Sequence, residues 1–168
     1  SILTHYPSPS ELAAADARHL QEILAPLGLR YRARELIRLA EALVEHHAGR
    51  VPCDFGELKA LPGVGEYIAR AVLSFAFDED VAVVDTNVAR FLYRIFGLEG
   101  PIPANPARKR ALSDLAASLL PPGRSREFNL AVLDLCAGVC THRAPSCSSC
   151  PVAESCHYGS DLEALQTV

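Results

Sequence analysis

The sequence contains no methionine and begins at Ser1. It therefore lacks an initiator, and a processed chain or an excised fragment is expected. No apolar run approaches ~20 residues, the length a membrane-spanning helix needs. No N-terminal stretch has the basic, apolar and small-residue regions of a secretory signal. These absences lead to the expectation of a soluble intracellular protein with no membrane partner. An excess of positive charge is also missing, since the net formal charge is −4. Bulk electrostatics give no pointer to nucleic acid, so any DNA binding would have to come from a local patch or from backbone amides. Thr, Val and Ile are modest, whereas Ala, Leu, Arg and Glu are abundant, a balance that favours helices over strands. There is no internal repeat and no low-complexity segment.

What is present is enough apolar material for a core, 49% of 168 residues. One domain is expected, or two small lobes sharing helices. The chain reads as helices punctuated by Pro and Gly. A first helix is expected from Ser8-Pro9-Ser10 through about Leu24. Arg32 to His47 carries an i, i+3, i+4, i+7 apolar stripe. Asp54 and Glu57 have the spacing of a capping box and start a helix that stops before Pro62. Glu66 to Phe77 is helical. Val81 to Val84 is too short for a helix and reads as a buried extended connection. Helices follow from Asp85 to Gly97, from Ala107 to Leu120 and from Arg126 to Val139.

Three motifs carry chemistry. In LKALPGVGEYIARAVLSFAF, a short helix ends at Pro62 and Gly63-Val64-Gly65 turns tightly. Such glycines permit positive φ and close approach of another group. The helix that follows points free N–H groups and its positive end outward, which suits phosphate. An ordinary helix–helix turn is the plainer reading. In VAVVDTNVAR, Asp85 precedes a helix and suits an N-cap. In CTHRAPSCSSCPVAESC, Cys140, Cys147, Cys150 and Cys156 are separated by six, two and five residues. Five of the six cysteines fall between Cys136 and Cys156. A disulfide framework belongs to short secreted chains, so metal ligation explains the crowding better. Thiolates bind zinc or iron–sulfur clusters. Structural zinc sites usually use two short knuckles, and here only Cys147 to Cys150 is one. Cys136 lies outside the pattern and reads as a core thiol. Cys53 is isolated.

These three motifs, in this order, resemble the helix-hairpin-helix DNA glycosylase superfamily, in its endonuclease III branch, over about Pro9 to His157. The thiol spacing resembles that branch's [4Fe-4S] pattern. LPGVG resembles the hairpin that grips the DNA backbone without reading sequence. Asp85 stands where the family has its catalytic aspartate. The resemblance implies an all-α fold, with a helical-barrel lobe (residues 1–105, hairpin at about 55–77) and a C-terminal iron–sulfur cluster lobe (106–168). It implies base flipping and cleavage of an N-glycosidic bond in double-stranded DNA bearing a mispaired or damaged base. The cluster would sit on Cys140, Cys147, Cys150 and Cys156. Leu61, Gly63, Val64, Gly65 and Arg143 would meet phosphate. A monomer in the cytoplasm, associated with the nucleoid, is expected.

Bifunctional members have a lysine at the position of Tyr67. A phenol with pKa near ~10 forms no Schiff base, so the resemblance implies hydrolysis without strand cleavage. Asp85 and Tyr67 are the expected catalytic pair. Thymine and uracil glycosylases acting opposite guanine resemble the chain at Tyr67 and in REFNLAVLDL, and this type is favoured. Adenine glycosylases acting opposite 8-oxoguanine resemble it in CTHRAPSCSSCP, but have a small hydroxyl residue in place of Tyr67. Family members also have a segment before the position of Ser1, which supplies part of the base pocket. The chain is accordingly expected to be truncated or completed by another polypeptide, and possible inactivity alone is part of that expectation. A non-catalytic iron–sulfur DNA-binding module stays open, and a soluble electron carrier is disfavoured by its different cysteine spacing. Arg30 to Arg34 and Arg108 to Arg110 read as solvated basic runs.

Overall fold

A computed structural model describes residues 2–160. Among these residues there is no strand, in line with the all-α expectation. The chain divides into two compact units, Ser1–Gly65 and Glu66–Val168.

The first unit holds α1 (Ile2–His5), α2 (Pro9–Ala13), α3 (Ala17–Leu24), α4 (Ala33–His47) and α5 (Phe55–Ala60). Its core is Leu20, Leu24 and Ala33, with Ile2, Tyr6, Leu12, Leu29, Leu36 and Ile37 packed against them. The single helix expected through Leu24 is instead two. Ser8 caps α2, and Pro9 stands at its first position. The chain then leaves the helix, and Asp16 starts α3 by accepting a hydrogen bond from the His19 N–H at 2.8 Å. A good capping side chain competes with helix continuation, so Asp16 breaks what apolar spacing alone would have joined. The cap at Asp54 is as expected, with the Glu57 N–H at 2.9 Å. The Glu57 carboxylate lies 3.8 Å from His47 Nδ1.

The second unit holds α6 (Glu66–Phe77), α7 (Thr86–Phe96), α8 (Arg110–Ser118) and α9 (Ser125–Gly138). Its core joins Ala82 and Val84 to Val88, Ala89, Phe91 and Leu92 of α7, Leu112 and Ala116 of α8, and Cys136 of α9. Each such side chain, fully buried, contributes about 1.5–3 kcal/mol when it is the size of Val or Leu. The helix expected from Ala107 is shorter. A 3-10 turn spans Pro106–Arg108, and extended backbone at Lys109 delays α8 to Arg110. Among the described residues, no helix is long and apolar enough to cross a membrane.

The run 81–84 belongs to neither helix nor strand, with Ala82, Val83 and Val84 buried. Buried backbone outside helix and sheet leaves its polar groups to be paired by something else. Asn129 does this from α9. Its Oδ1 accepts from the Val83 N–H at 3.2 Å, and its Nδ2 donates to the Val81 carbonyl at 2.9 Å and to Ser74 Oγ at 2.9 Å. Asp80 begins the same run and accepts from the Gly123 N–H at 3.0 Å and the Ser125 hydroxyl at 2.7 Å. These two bonds hold the exposed Asp80 carboxyl below its ordinary value.

Replacing Asn129 with Ala would strand a buried N–H and a carbonyl at once. Such a loss costs about 1–3 kcal/mol for each group. Asn129→Ala is expected to lower the thermal unfolding midpoint by several degrees or more, measured by circular dichroism at 222 nm. An unchanged midpoint would show that the run is held by its apolar side chains alone.

Candidate functional site

The hairpin turn is set by local chemistry. Leu61 leaves α5 in extended conformation. Pro62 cannot continue a helix. Gly63 turns with φ of 76°, a region that other residues adopt at a cost. The Val64 N–H closes the turn on the Leu61 carbonyl at 3.2 Å. Gly65 has no positive φ, so its role differs from that of Gly63. Open space lies beside both glycines, and both are exposed. Helix α6 then begins at Glu66.

Asp85 is the N-cap of α7 and is half-buried. Its Oδ1 accepts from the N–H groups of Asn87 (2.8 Å) and Val88 (2.7 Å). Its Oδ2 accepts from the Asn87 side-chain amide at 3.0 Å. A carboxylate oxygen has two lone pairs. Oδ1 is fully engaged, and Oδ2 keeps one acceptor site. Tyr67, on the first turn of α6, is partly exposed and lies within electrostatic reach of Asp85. Burial first, and then the Asp85 charge, push its phenol above the usual value. The phenol therefore stays neutral within the field of the carboxylate.

Sequence reading missed the group that organises this region. Asn87, Arg90 and Arg94 lie at i, i+3 and i+7 on one face of α7. Arg90 is 7% exposed. Its Nη1 donates to Asn87 Oδ1 at 2.8 Å. Its Nη2 donates to the carbonyls of Cys140 (2.8 Å) and Cys136 (3.3 Å), and its Nε also reaches the Cys140 carbonyl, at 3.2 Å. The last carbonyls of a helix lack partners within it, and a cation there is favourable. Arg90 supplies both to the end of α9. The only local signal for this was the polar face of a helix otherwise rich in core residues.

The four thiols of the 140–156 segment line one pocket, with Phe91, Arg94, Val139, Pro145, Val152 and Tyr158 among its walls. It encloses about 380 Å³ of empty space, open mouth included. Among the described residues, no three or more His, Cys, Asp and Glu side chains are gathered closely enough to hold a single metal ion. The thiols nevertheless sense one another. Burial, and then Cys156, Cys140 and Cys150, push the Cys147 thiol up, while Arg94 pulls it down. Four half-buried thiols facing one largely apolar pocket fit the donor set of an iron–sulfur cluster. Cys136 stays apart. It is 3% exposed in the core, and burial and the neighbouring Cys140 push its thiol up to about 12. Cys53 is exposed. Arg143 is exposed in the loop after Cys140. The His157 ring packs on Gly97, where an added Cβ would meet it at 2.9 Å.

Residues 2–117 match the family described as HhH-GPD superfamily base excision DNA repair protein. The chain belongs to this superfamily. A thymine/uracil-DNA glycosylase of Pyrobaculum aerophilum is 41% identical over 157 residues, which cover 92% of this chain and 68% of that protein. An adenine DNA glycosylase of Homo sapiens is 38% identical over 162 residues, 96% of this chain but 30% of that protein. The solved structure of a thermostable thymine-DNA glycosylase aligns with a TM-score of 0.86 at 32% identity, covering 95% of this chain and 73% of that one. The HhH-GPD fold accounts for the order found here, with hairpin, capped carboxylate and thiol loop following one another along the chain.

Proposed function

We propose that this chain is a monofunctional DNA glycosylase that removes thymine or uracil mispaired with guanine and leaves an abasic site. The observation that carries the reading is Asp85 fixed at the start of α7 with one acceptor site left on Oδ2 and a phenol, not an amine, beside it. Similarity to a thymine/uracil-DNA glycosylase and to the solved thymine-DNA glycosylase supports the base assignment.

In this reading, double-stranded DNA is held without sequence preference by the hairpin Leu61, Gly63, Val64 and Gly65, through the amides of the exposed Gly63 and Gly65, and by the exposed Arg143. The mispaired nucleotide leaves the stack, because its glycosidic bond is out of reach inside it. As that bond lengthens, positive charge grows on the sugar. The Asp85 carboxylate stabilises it electrostatically. The free lone pair of Oδ2 orients and takes a proton from the water that attacks the sugar carbon, and the electron pair of the breaking bond leaves with the base, which takes up a proton from solvent. Tyr67 shapes the wall beside the sugar and offers no amine, so no covalent adduct forms. Residues 1–105 would carry the hairpin and the carboxylate, and residues 106–168 the cluster. Cys140, Cys147, Cys150 and Cys156 would hold a [4Fe-4S] cluster, which supplies a covalent cross-link to a loop with little core of its own. Removal of adenine opposite 8-oxoguanine is the second reading, supported by the likeness to the human adenine DNA glycosylase.

The deciding experiment incubates the protein with duplexes bearing G/T, G/U and 8-oxoguanine/A pairs and cleaves abasic sites with alkali. Alkali-dependent cleavage at G/T and G/U is expected. Cleavage confined to adenine would select the second reading. Binding without cleavage would leave a DNA-binding module. Asp85→Asn keeps the cap geometry and removes the charge, so excision is expected to fall about 100-fold or more, with DNA affinity held or raised. Efficient trapping of the unmodified protein on DNA by borohydride would overturn the monofunctional assignment.

Gly65→Val is expected to weaken binding to all duplexes alike, as read by fluorescence anisotropy. A loss restricted to one mismatch would place the hairpin at the lesion instead. Protein purified without air or chelator is expected to hold about four irons. Cys136→Ser should keep them and Cys147→Ser should lose them. One zinc and no iron would refute the cluster.

A further inference from the structure

The thiol pocket has a feature that cysteine spacing does not explain. Among the described residues lining it, Arg94 is the only charged side chain. Its Nη1 donates to Cys140 Sγ at 3.3 Å and to the Thr141 carbonyl at 2.7 Å, and its Nη2 donates to the His142 carbonyl at 3.1 Å. The guanidinium lies over the Tyr158 ring, 4.7 Å from its centroid. The ring face attracts the cation and fixes its plane. One end of the side chain is therefore held by a rigid helix. The other is held by two carbonyls, a sulfur and an aromatic face.

We propose that Arg94 is the counter-ion of the cluster site, and that its N–H group directed at the Cys140 sulfur raises the cluster's reduction potential and slows its loss. The proposal rests on the reading that the four thiols hold a [4Fe-4S] cluster. Four thiolates around such a core carry net negative charge into a pocket walled mainly by Phe91, Val139, Pro145 and Val152. Burying that charge without compensation is costly. A nearby cation offsets it, and more so once the electron that reduces the cluster has arrived. A hydrogen bond to a ligating sulfur acts in the same direction, because it withdraws electron density from the iron. In the redox step one electron enters the cluster from an electrode, no bond forms or breaks, and Arg94 keeps its proton throughout. A residue that only closed the loop would satisfy the Thr141 and His142 carbonyls and leave the potential alone.

The test uses cluster-loaded protein and two readouts independent of catalysis. Iron content and absorbance near ~400 nm are measured first, and an iron-free wild type would sink the cluster reading itself. The midpoint potential is then measured by protein-film voltammetry, and the rate of absorbance loss is followed in excess chelator. Arg94→Met is expected to shift the potential to more negative values and to bleach about 10-fold faster. Arg94→Lys keeps the charge without the planar fork, and an intermediate shift is expected. Should Arg94→Met fail to load, Arg94→Lys and Tyr158→Leu, which removes the ring under the guanidinium, carry the comparison, both shifting in the same direction. Arg124→Met, at an exposed arginine paired with Glu127, is expected to match the wild type. A loaded wild type whose potential and bleaching rate are shared by the loaded Arg94 variants would overturn the proposal.

Discussion

The buried guanidinium of Arg90 is the interaction on which the second unit depends. Its charge is tolerable inside the protein only because four hydrogen bonds leave the guanidinium no idle face toward the core. Its partners are the Cys136 carbonyl in the last turn of α9, the Cys140 carbonyl just beyond it, and the Asn87 amide that holds the Asp85 carboxylate. The start of α7 and the end of α9 are thereby one piece of structure. The candidate catalytic carboxylate sits at the first and the thiol loop begins at the second. Arg90 thus ties the start of α7 to backbone 46 to 50 positions further along the sequence.

The other side of Asp85 is held by different means. The run 81–84 buries Ala82, Val83 and Val84, and Asn129 pairs the backbone that burial strips of water. Apolar burial alone would let such a run slide by one residue, which would turn Val84 outward and displace Asp85. A side-chain amide that bonds both an N–H and a carbonyl fixes the register. The carboxylate is then placed by Asn129 from before and by Arg90 from after. Arg94, one turn beyond Arg90, continues the same polar face into the thiol pocket.

Much of this was legible in the sequence where the cause is local. Glu66 to Phe77 is helical as expected, Asp54 caps as expected, and Asp85 stands at a helix start after a buried run that is neither helix nor strand. The spacing of the four thiols pointed to a shared ligand set, and the structure places all four on the wall of one pocket. The break before Asp16 and the delay at Lys109 were missed, because caps and backbone kinks overrode apolar periodicity. Arg90, Arg94 and Asn129 were missed for a deeper reason: their partners lie across the fold, and nothing in a local window marks them. The arginine runs at 30–34 and 108–110 drew attention by composition, whereas the arginines that build the site stand singly in α7.

The most direct measurement is the single-turnover rate of base excision by Arg90→Met on a G/T duplex at saturating protein, with iron content and DNA affinity determined on the same preparation. If Arg90 places Asp85 through Asn87, excision falls by about 10-fold or more while affinity for the duplex and iron content remain near wild type. Excision at the wild-type rate in a folded, iron-loaded Arg90→Met would contradict the account, because Asp85 would then hold its position without the tie to α9.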